Sequence, residues 1–411
     1  MAGASAPSVI LLIPEFPGQT HNFFWREVAE LEALGARVQL ASTRRPPSGV
    51  QSPHWAAQAI ARTDYLLPLA PAALPGMAWV ALRAGPLRWW RALGVTLASE
   101  GGIQRKLKLA ALALVACRLV ALARAAGIRH VHVHSCADAA LVALFAHLLG
   151  GPGYSLTLHG ALAHYGPDQG AKWRHARFAI VVSQTLLAQV RTALAGSLPA
   201  RVSVAPMGVD TAFFQRQKPF QPWCPGQPLR LFSCARLNRH KGHATAVQLV
   251  AALLADGLDV TLQIAGEDDR GGAGYRQELA AQIVALGLTS RITLLGALSA
   301  IAVREQQEHA HLFLLLSEDE ALGVAYMEAM AMELPVLGCR VGGVPELIED
   351  GVSGRLVPPA SVDAARAAVQ AMLGDAAAAA HMGVLARQVV VERFSSRCSA
   401  QALLAGLATE A

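Results

Sequence analysis

Short apolar runs alternate with helical stretches along this chain, stop at a proline-rich segment and then begin again. No other feature limits the fold as tightly. Ser8 to Ile13 is apolar and ends at Pro14, Pro17 and Gly18, after which Phe24, Val28, Leu31 and Leu34 recur at helical spacing. Arg37 to Ala41, His130 to His134, Tyr154 to Leu158, Phe178 to Val182 and Val202 to Ala205 continue the series. Apolar strands separated by helices imply a parallel sheet covered on both faces. Gln215 to Pro228, carrying Pro219, Pro222, Pro225 and Pro228, interrupts the pattern as a hinge does.

The alternation restarts beyond it. Leu229 to Cys234, Val260 to Ile264, Ile292 to Leu295, Leu312 to Leu316, Pro335 to Gly338 and Arg355 to Val357 are strand candidates; Thr245 to Asp256, Tyr275 to Leu286, Val324 to Met332 and Val362 to Leu373 are helix candidates. The expected fold is therefore α/β, with two tandem Rossmann-like, doubly wound parallel-sheet domains facing a central cleft. The first spans 1–214, the hinge 215–228 and the second 229–380, while 381–411 reads as a C-terminal helix crossing back to the first domain. A length of 411 residues suits two such cores.

Charge is uneven. The net charge is +6, from 35 basic and 29 acidic residues, too small an excess for a chain that coats nucleic acid. Residues 1–212 hold 19 basic and 9 acidic residues and the remainder 16 and 20, so the basic excess belongs to the first half. Between 62 and 129 the only acids are Asp64 and Glu100, and Trp79, Trp89 and Trp90 are interleaved with cations. Such a stretch suits an anionic lipid surface or a solvated helix face. Leu107 to Ala123, broken by Lys108 and Arg118, reads as a buried or interfacial helix. Met1 to Pro7 has no basic leader region and Val9 to Ile13 is short for a signal core, so a cytoplasmic address is expected. Six scattered cysteines without a CxxC pair suggest reduced thiols.

In doubly wound sheets ligands bind at the carboxyl ends of the strands. Neither initial loop carries G-x-G-x-x-G, and no G-x-x-x-x-G-K-[ST] is present, which counts against dinucleotide and P-loop chemistry. After Leu229 to Cys234, Arg236 and Lys241 lie on a loop entering a helix. Two cations there suit a diphosphate, or form a solvated basic turn. After Leu312 to Leu316, Gly323 opens a helix whose first amides can hold anionic oxygens, with Glu320 in the loop before it and Glu328 on its second turn. Two carboxylates so placed can accept hydrogen bonds from sugar or ribose hydroxyls, the alternative being a pair of solvent-facing glutamates.

These elements, with Gly338-Cys-Arg-Val-Gly-Gly-Val-Pro-Glu346 and Gly351-x-x-Gly354 after them, resemble the second domain of retaining GT-B glycosyltransferases of family 4. The family's usual Glu-Gly-Phe-Gly stands here as Glu320-Ala321-Leu322-Gly323. Phe16-Pro-Gly18-Gln-Thr20-His-Asn-Phe-Phe-Trp-Arg-Glu27, Thr157-Leu-His159-Gly160, His164-Tyr165-Gly166-Pro167 and Lys172-Trp-Arg174-His175-Ala176 resemble the exopolysaccharide, colanic-acid-type branch, in which an aspartate is expected at the place of His164.

The resemblance implies a nucleotide-sugar donor, UDP- or GDP-linked and a substrate rather than a cofactor, held by the second domain. A glycan or polyprenyl-linked acceptor would be held mainly by the first. Arg236 and Lys241 would contact the donor diphosphate together with the amides of Gly323, Val324 and Ala325. Glu328 would bind the ribose, Glu320 the transferred sugar, and Gly296 and Ala297 the base. His159, which approaches the donor sugar or the acceptor, would take part in the chemistry with Glu320, Arg236 and Lys241; Gly18, Thr20, His159 and His164 would line the acceptor side. No Asp-x-Asp occurs, in keeping with the metal-independent transfer that the family implies. The expected activity is retaining glycosyl transfer in exopolysaccharide biosynthesis, peripheral at the inner face of the cytoplasmic membrane, without nucleic acid as a partner. A sugar-nucleotide epimerase, a phosphorylase or a non-catalytic nucleotide-sugar-binding protein are the alternatives.

Overall fold

The computed structural model describes residues 6–18, 22–46, 55–268 and 274–408. They form two compact units, Met1–Pro206 with Arg397–Ala411, and Met207–Ser396.

In the first unit the order is β1 (Ser8–Glu15), α1 (Asn22–Ala33), β2 (Arg37–Arg44), α2 (Ala56–Arg62), β3 (Thr63–Leu67), α3 (Leu74–Ala98), α4 (Ile103–Ala126), β4 (His130–Val133), α5 (Asp138–Leu148), β5 (Gly153–Leu158), α6 (Gln169–Arg174), β6 (Ala179–Val181), α7 (Gln184–Ala193) and β7 (Val202–Val204). The seven strands are parallel in the order β3-β2-β1-β4-β5-β6-β7. Val9 to Ile13 are fully buried, as a strand covered on both faces requires. β3 escapes the sequence reading because Thr-Asp-Tyr-Leu-Leu is short and polar at its start. It is an edge strand whose Asp64 accepts a bond of 2.8 Å from Gln39 Nε2 on β2. The long helices α3 and α4 fall between β3 and β4. α3 is interrupted at Gly85, with φ +71°, before Pro86, which has no N–H to give the helical ladder.

The second unit runs β8 (Leu229–Cys234), α8 (His243–Ala255), β9 (Val260–Ala265), α9 (Tyr275–Ala285), β10 (Ile292–Gly296), α10 (Ala300–His309), β11 (Leu312–Leu315), α11 (Val324–Ala331), β12 (Val336–Cys339), α12 (Val344–Leu347), β13 (Arg355–Val357), α13 (Val362–Leu373) and α14 (Ala376–Arg393). Its six parallel strands are ordered β10-β9-β8-β11-β12-β13. Leu231, Leu262, Ile264, Leu312 and Leu314 meet Val247, Val250 and Ile283 in its core. Both sheets are doubly wound as expected, with strand order reversing between β1 and β4 and between β8 and β11.

The unit boundaries differ from the expected ones for a packing reason. Residues 207–214 precede the expected hinge yet adhere to the second unit. Val209 N donates to Phe394 O at 2.9 Å, Ser396 N donates to Val209 O at 3.0 Å, and Arg387 reaches the carbonyls of Thr211 and Phe214. The C-terminal segment is two helices rather than one crossing helix. α14 stays with the second unit, where a Cβ on Gly383 would lie 2.1 Å from Glu333 O. α15 (Ser396–Ala408) belongs, from Arg397 on, to the first unit: Arg201 donates to Ala405 O, and Gly406 sits so close to Phe178 that a Cβ would come within 2.4 Å of the ring.

Candidate functional site

The second unit gathers its candidate residues at the carboxyl ends of β8, β10 and β11, around its strand-order switch. Glycines let these loops interlock. A Cβ on Gly242, with φ +67°, would lie 1.8 Å from Leu316 O, so the loop after β8 lies directly against the end of β11. Glu318 N closes the same junction by donating to His240 O at 2.8 Å. On the other side Leu237 N donates to Glu267 O at 2.9 Å and Gly266 N to Gly296 O at 2.8 Å, linking the ends of β8, β9 and β10. Ala297 is half-buried beside Gly296.

Lys241 Nζ and a Glu320 carboxylate oxygen form a close ion pair, both side chains being about 85% buried (exposures of 15% and 14%). Ser317 Oγ donates to the same oxygen at 3.4 Å. The carbonyl of Glu320 accepts from Gly343 N at 3.2 Å, and Gly342, with φ +50°, approaches so closely that a Cβ would stand 1.8 Å from that carbonyl oxygen. The chain therefore fixes Glu320 from both sides, by its side chain and by its backbone.

Gly323 caps α11 at φ +103°, where a Cβ would come within 2.4 Å of the buried Tyr326 ring. Tyr326 is held by its hydroxyl, which donates to Leu315 O. Ala321 does not take a positive φ, so alanine is accommodated where the family uses glycine, and Leu322 fills a buried position. The amides of Val324 and Ala325 open the helix, and the first amides of a helix lack intrahelical acceptors. Glu328 lies half-buried on the second turn, near enough to the end of β8 to help burial push the Cys234 thiol up to about 12.

Arg236 stands exposed on the β8 loop, and its carbonyl accepts from His243 Nε2 at 3.2 Å. Burial lowers His243 to about 4, so the ring is neutral at pH 7 and serves as an uncharged anchor for the loop carrying both cations.

In the first unit, Gly18 follows β1 and is half-buried, whereas Thr20 lies outside the described residues. His159 follows β5, its ring 5.6 Å from Phe23, 5.5 Å from Phe24 and 5.6 Å from His134 between centroids. His164 is exposed on the short turn Leu162–Tyr165. Three further residues support this group, of which Glu27 and Lys172 belong to segments that carry the resemblance. His134 Nε2 lies 2.8 Å from Glu27 Oε2, with both side chains almost fully buried, and Glu27 Oε1 accepts from Ser399 Oγ of α15 at 2.6 Å. Lys172 is buried, donates to Cys136 O at 2.8 Å and Tyr165 O at 3.2 Å, and is lowered to about 8 by burial. For Glu27 the signal was present: a carboxylate on the apolar stripe Phe24, Val28, Leu31 of α1.

Residues 215–389 match the family described as Glycosyl transferases group 1. The second unit carries a glycosyl transferases group 1 domain. Arg236, Lys241, Gly296, Ala297, Glu320, Gly323, Val324, Ala325 and Glu328 all fall inside it. Among curated proteins, the putative colanic acid biosynthesis glycosyltransferase WcaL of Salmonella typhimurium is 30% identical over 212 residues, 50% of either chain. The amylovoran biosynthesis glycosyltransferase AmsK of Erwinia amylovora is 34% identical over 144 residues, 34% of either chain. The match thus spans about half the length of WcaL and a third of AmsK. Among solved structures, HepE from Anabaena in complex with UDP gives a TM-score of 0.74 at 17% identity, covering 98% of this chain and 100% of HepE. Sucrose-phosphate synthase from Thermosynechococcus elongatus gives 0.73 at 20%, with 98% and 100% covered. The two doubly wound units are those of the GT-B fold.

Proposed function

We propose that this chain is a retaining glycosyltransferase that moves a sugar from a UDP- or GDP-linked donor to a lipid-linked or oligosaccharide acceptor in exopolysaccharide biosynthesis, at the inner face of the cytoplasmic membrane. The observation that carries the reading is the Lys241–Glu320 pair at the strand-order switch of the group 1 domain, flanked by the start of α11 and by Glu328. The names of WcaL and AmsK support the exopolysaccharide assignment, and HepE, solved with UDP-glucose, supports a nucleotide-sugar donor.

As the bond from the anomeric carbon to the diphosphate breaks, negative charge builds on the leaving oxygen. Arg236, Lys241 and the amides of Gly323, Val324 and Ala325 stabilise that charge, so no divalent metal is required. Lys241 is already oriented by Glu320, which limits the reorganisation needed when a diphosphate arrives. Glu328 accepts hydrogen bonds from the ribose, and Gly296 and Ala297 meet the base. On the acceptor side His159, Gly18, Thr20 and His164 orient the incoming hydroxyl. That oxygen bonds to the anomeric carbon on the face the diphosphate leaves, and its proton passes to the departing diphosphate oxygen, so positioning replaces a dedicated base.

A thermal-shift screen of the full chain against UDP, GDP and their common sugars tests the donor assignment. Stabilisation by one nucleotide series is expected, since only a ligand of the native state raises the transition by mass action. No shift with any of them at millimolar concentration overturns the reading.

A further inference from the structure

α3 and α4 of the first unit present an apolar surface that stands exposed among the described residues. Ten of the seventeen large apolar side chains that stand exposed among the described residues lie between Leu74 and Leu114. They are not scattered. Met77, Val80 and Ala84, then Ala92 and Thr96, turn the buried stripe of α3 inward, while Trp79 and Leu82, then Leu87, Trp90 and Leu97, occupy its outer side, with Leu82 81% and Trp90 70% exposed. On α4, Ile103 and Leu107 continue the surface, whereas Leu109, Leu112, Ala116 and Val120 pack inward. A contiguous patch of this kind marks an interaction surface rather than chance exposure.

Charge selects the occupant. Residues 74–126 contain eight basic residues and a single acid, Glu100. Arg105 and Lys108 are spent on Asp168 and Asp138, but Arg83, Arg88 and Arg91 are exposed, Arg83 over the Trp79 ring and Arg88 with its guanidinium beside Gly150. Arg91 also borders a pocket of about 420 Å³ that Arg174, His175 and Asp168 line with it, the carboxylate of Asp168 being paired with Arg105. Tryptophan and leucine on one side with flanking arginines is the composition of a helix lying in a bilayer interface.

We infer that the outer face of the α3–α4 pair docks on an anionic lipid bilayer, Leu82, Leu87, Trp90 and Leu97 entering the headgroup boundary and Arg88 and Arg91 binding lipid phosphates. The inference deepens the proposed membrane location and rests on it. Docking is interfacial. α4 is long and apolar enough to cross a bilayer, but half of its most apolar window is buried within the protein, so a span would tear it from the first unit.

The test is flotation of the full chain with vesicles of phosphatidylcholine and phosphatidylglycerol at a ratio of about 7:3 against phosphatidylcholine alone. Wild type floats with the anionic vesicles and much less with the neutral ones. Trp90→Glu with Leu97→Glu, and separately Arg88→Glu with Arg91→Glu, each lower partitioning about tenfold or more, while circular dichroism and the melting transition stay as in wild type. If wild type ignores anionic vesicles, the membrane location itself fails and the inference with it. If wild type floats and both variants float equally, the location stands and this face is not the contact. Concentration-dependent dimerisation abolished by Trp90→Glu with Leu97→Glu, without vesicle binding, assigns the face to a second copy and overturns the inference.

Discussion

At the residue scale, two groups decide how firmly the candidate donor site is held. Gly342 cannot carry a side chain, because a Cβ would meet Glu320 O at 1.8 Å and the backbone is left-handed. Gly342→Ala is expected to cost about 3 kcal/mol or more in urea unfolding, whereas Ala321→Gly, at a position free of positive φ, stays within about 1 kcal/mol. His243 supplies a pH signature. Its folded pKa, about 4, is depressed by burial, so the unfolded chain binds the proton first as pH falls below about 6.5. The stabilisation is complete above that value and is lost as pH falls toward 4. His243→Gln keeps a donor for Arg236 O without titrating, so the variant should lose about 2–3 kcal/mol less than wild type between pH 7 and pH 4. Equal losses in urea titrations at the two pH values would show that this ring does not carry the effect.

At the element scale, the strands of both sheets were legible because parallel strands covered on both faces are near-continuous apolar runs, and Leu229–Cys234 and Arg355–Val357 agree to the residue. β3 was not, since Thr63-Asp64-Tyr65 breaks the apolar run that marks the others. The loops at the candidate donor site could be read because glycine and charge mark them, at Gly242, Gly323, Lys241 and Glu320. The network behind His159 could not, because Glu27, His134 and Ser399 are far apart in the chain and meet only after α15 returns to the first unit. That return has a measurable consequence. Ser399→Ala removes the hydroxyl from a buried carboxylate and should destabilise the first unit by about 1–3 kcal/mol, seen as a lower calorimetric transition. A transition unchanged from wild type would mean that Glu27 finds another donor there.

At the scale of the whole molecule, the chain places a glycosyl transferases group 1 domain in its second unit and adds a first unit of the same doubly wound design bearing a basic, apolar helix pair. The proposed chemistry requires the second unit to hold a diphosphate without a metal, through Arg236, Lys241 and the start of α11. Isothermal titration calorimetry of UDP and of GDP into the full chain, in buffer containing a chelator, tests this most directly. The account predicts saturable binding of one nucleotide, weakened about tenfold or more by Lys241→Ala with the fold intact, as expected for loss of a charge-assisted contact. Binding that persists unchanged in Lys241→Ala, or that appears only when a divalent metal is added, would contradict it.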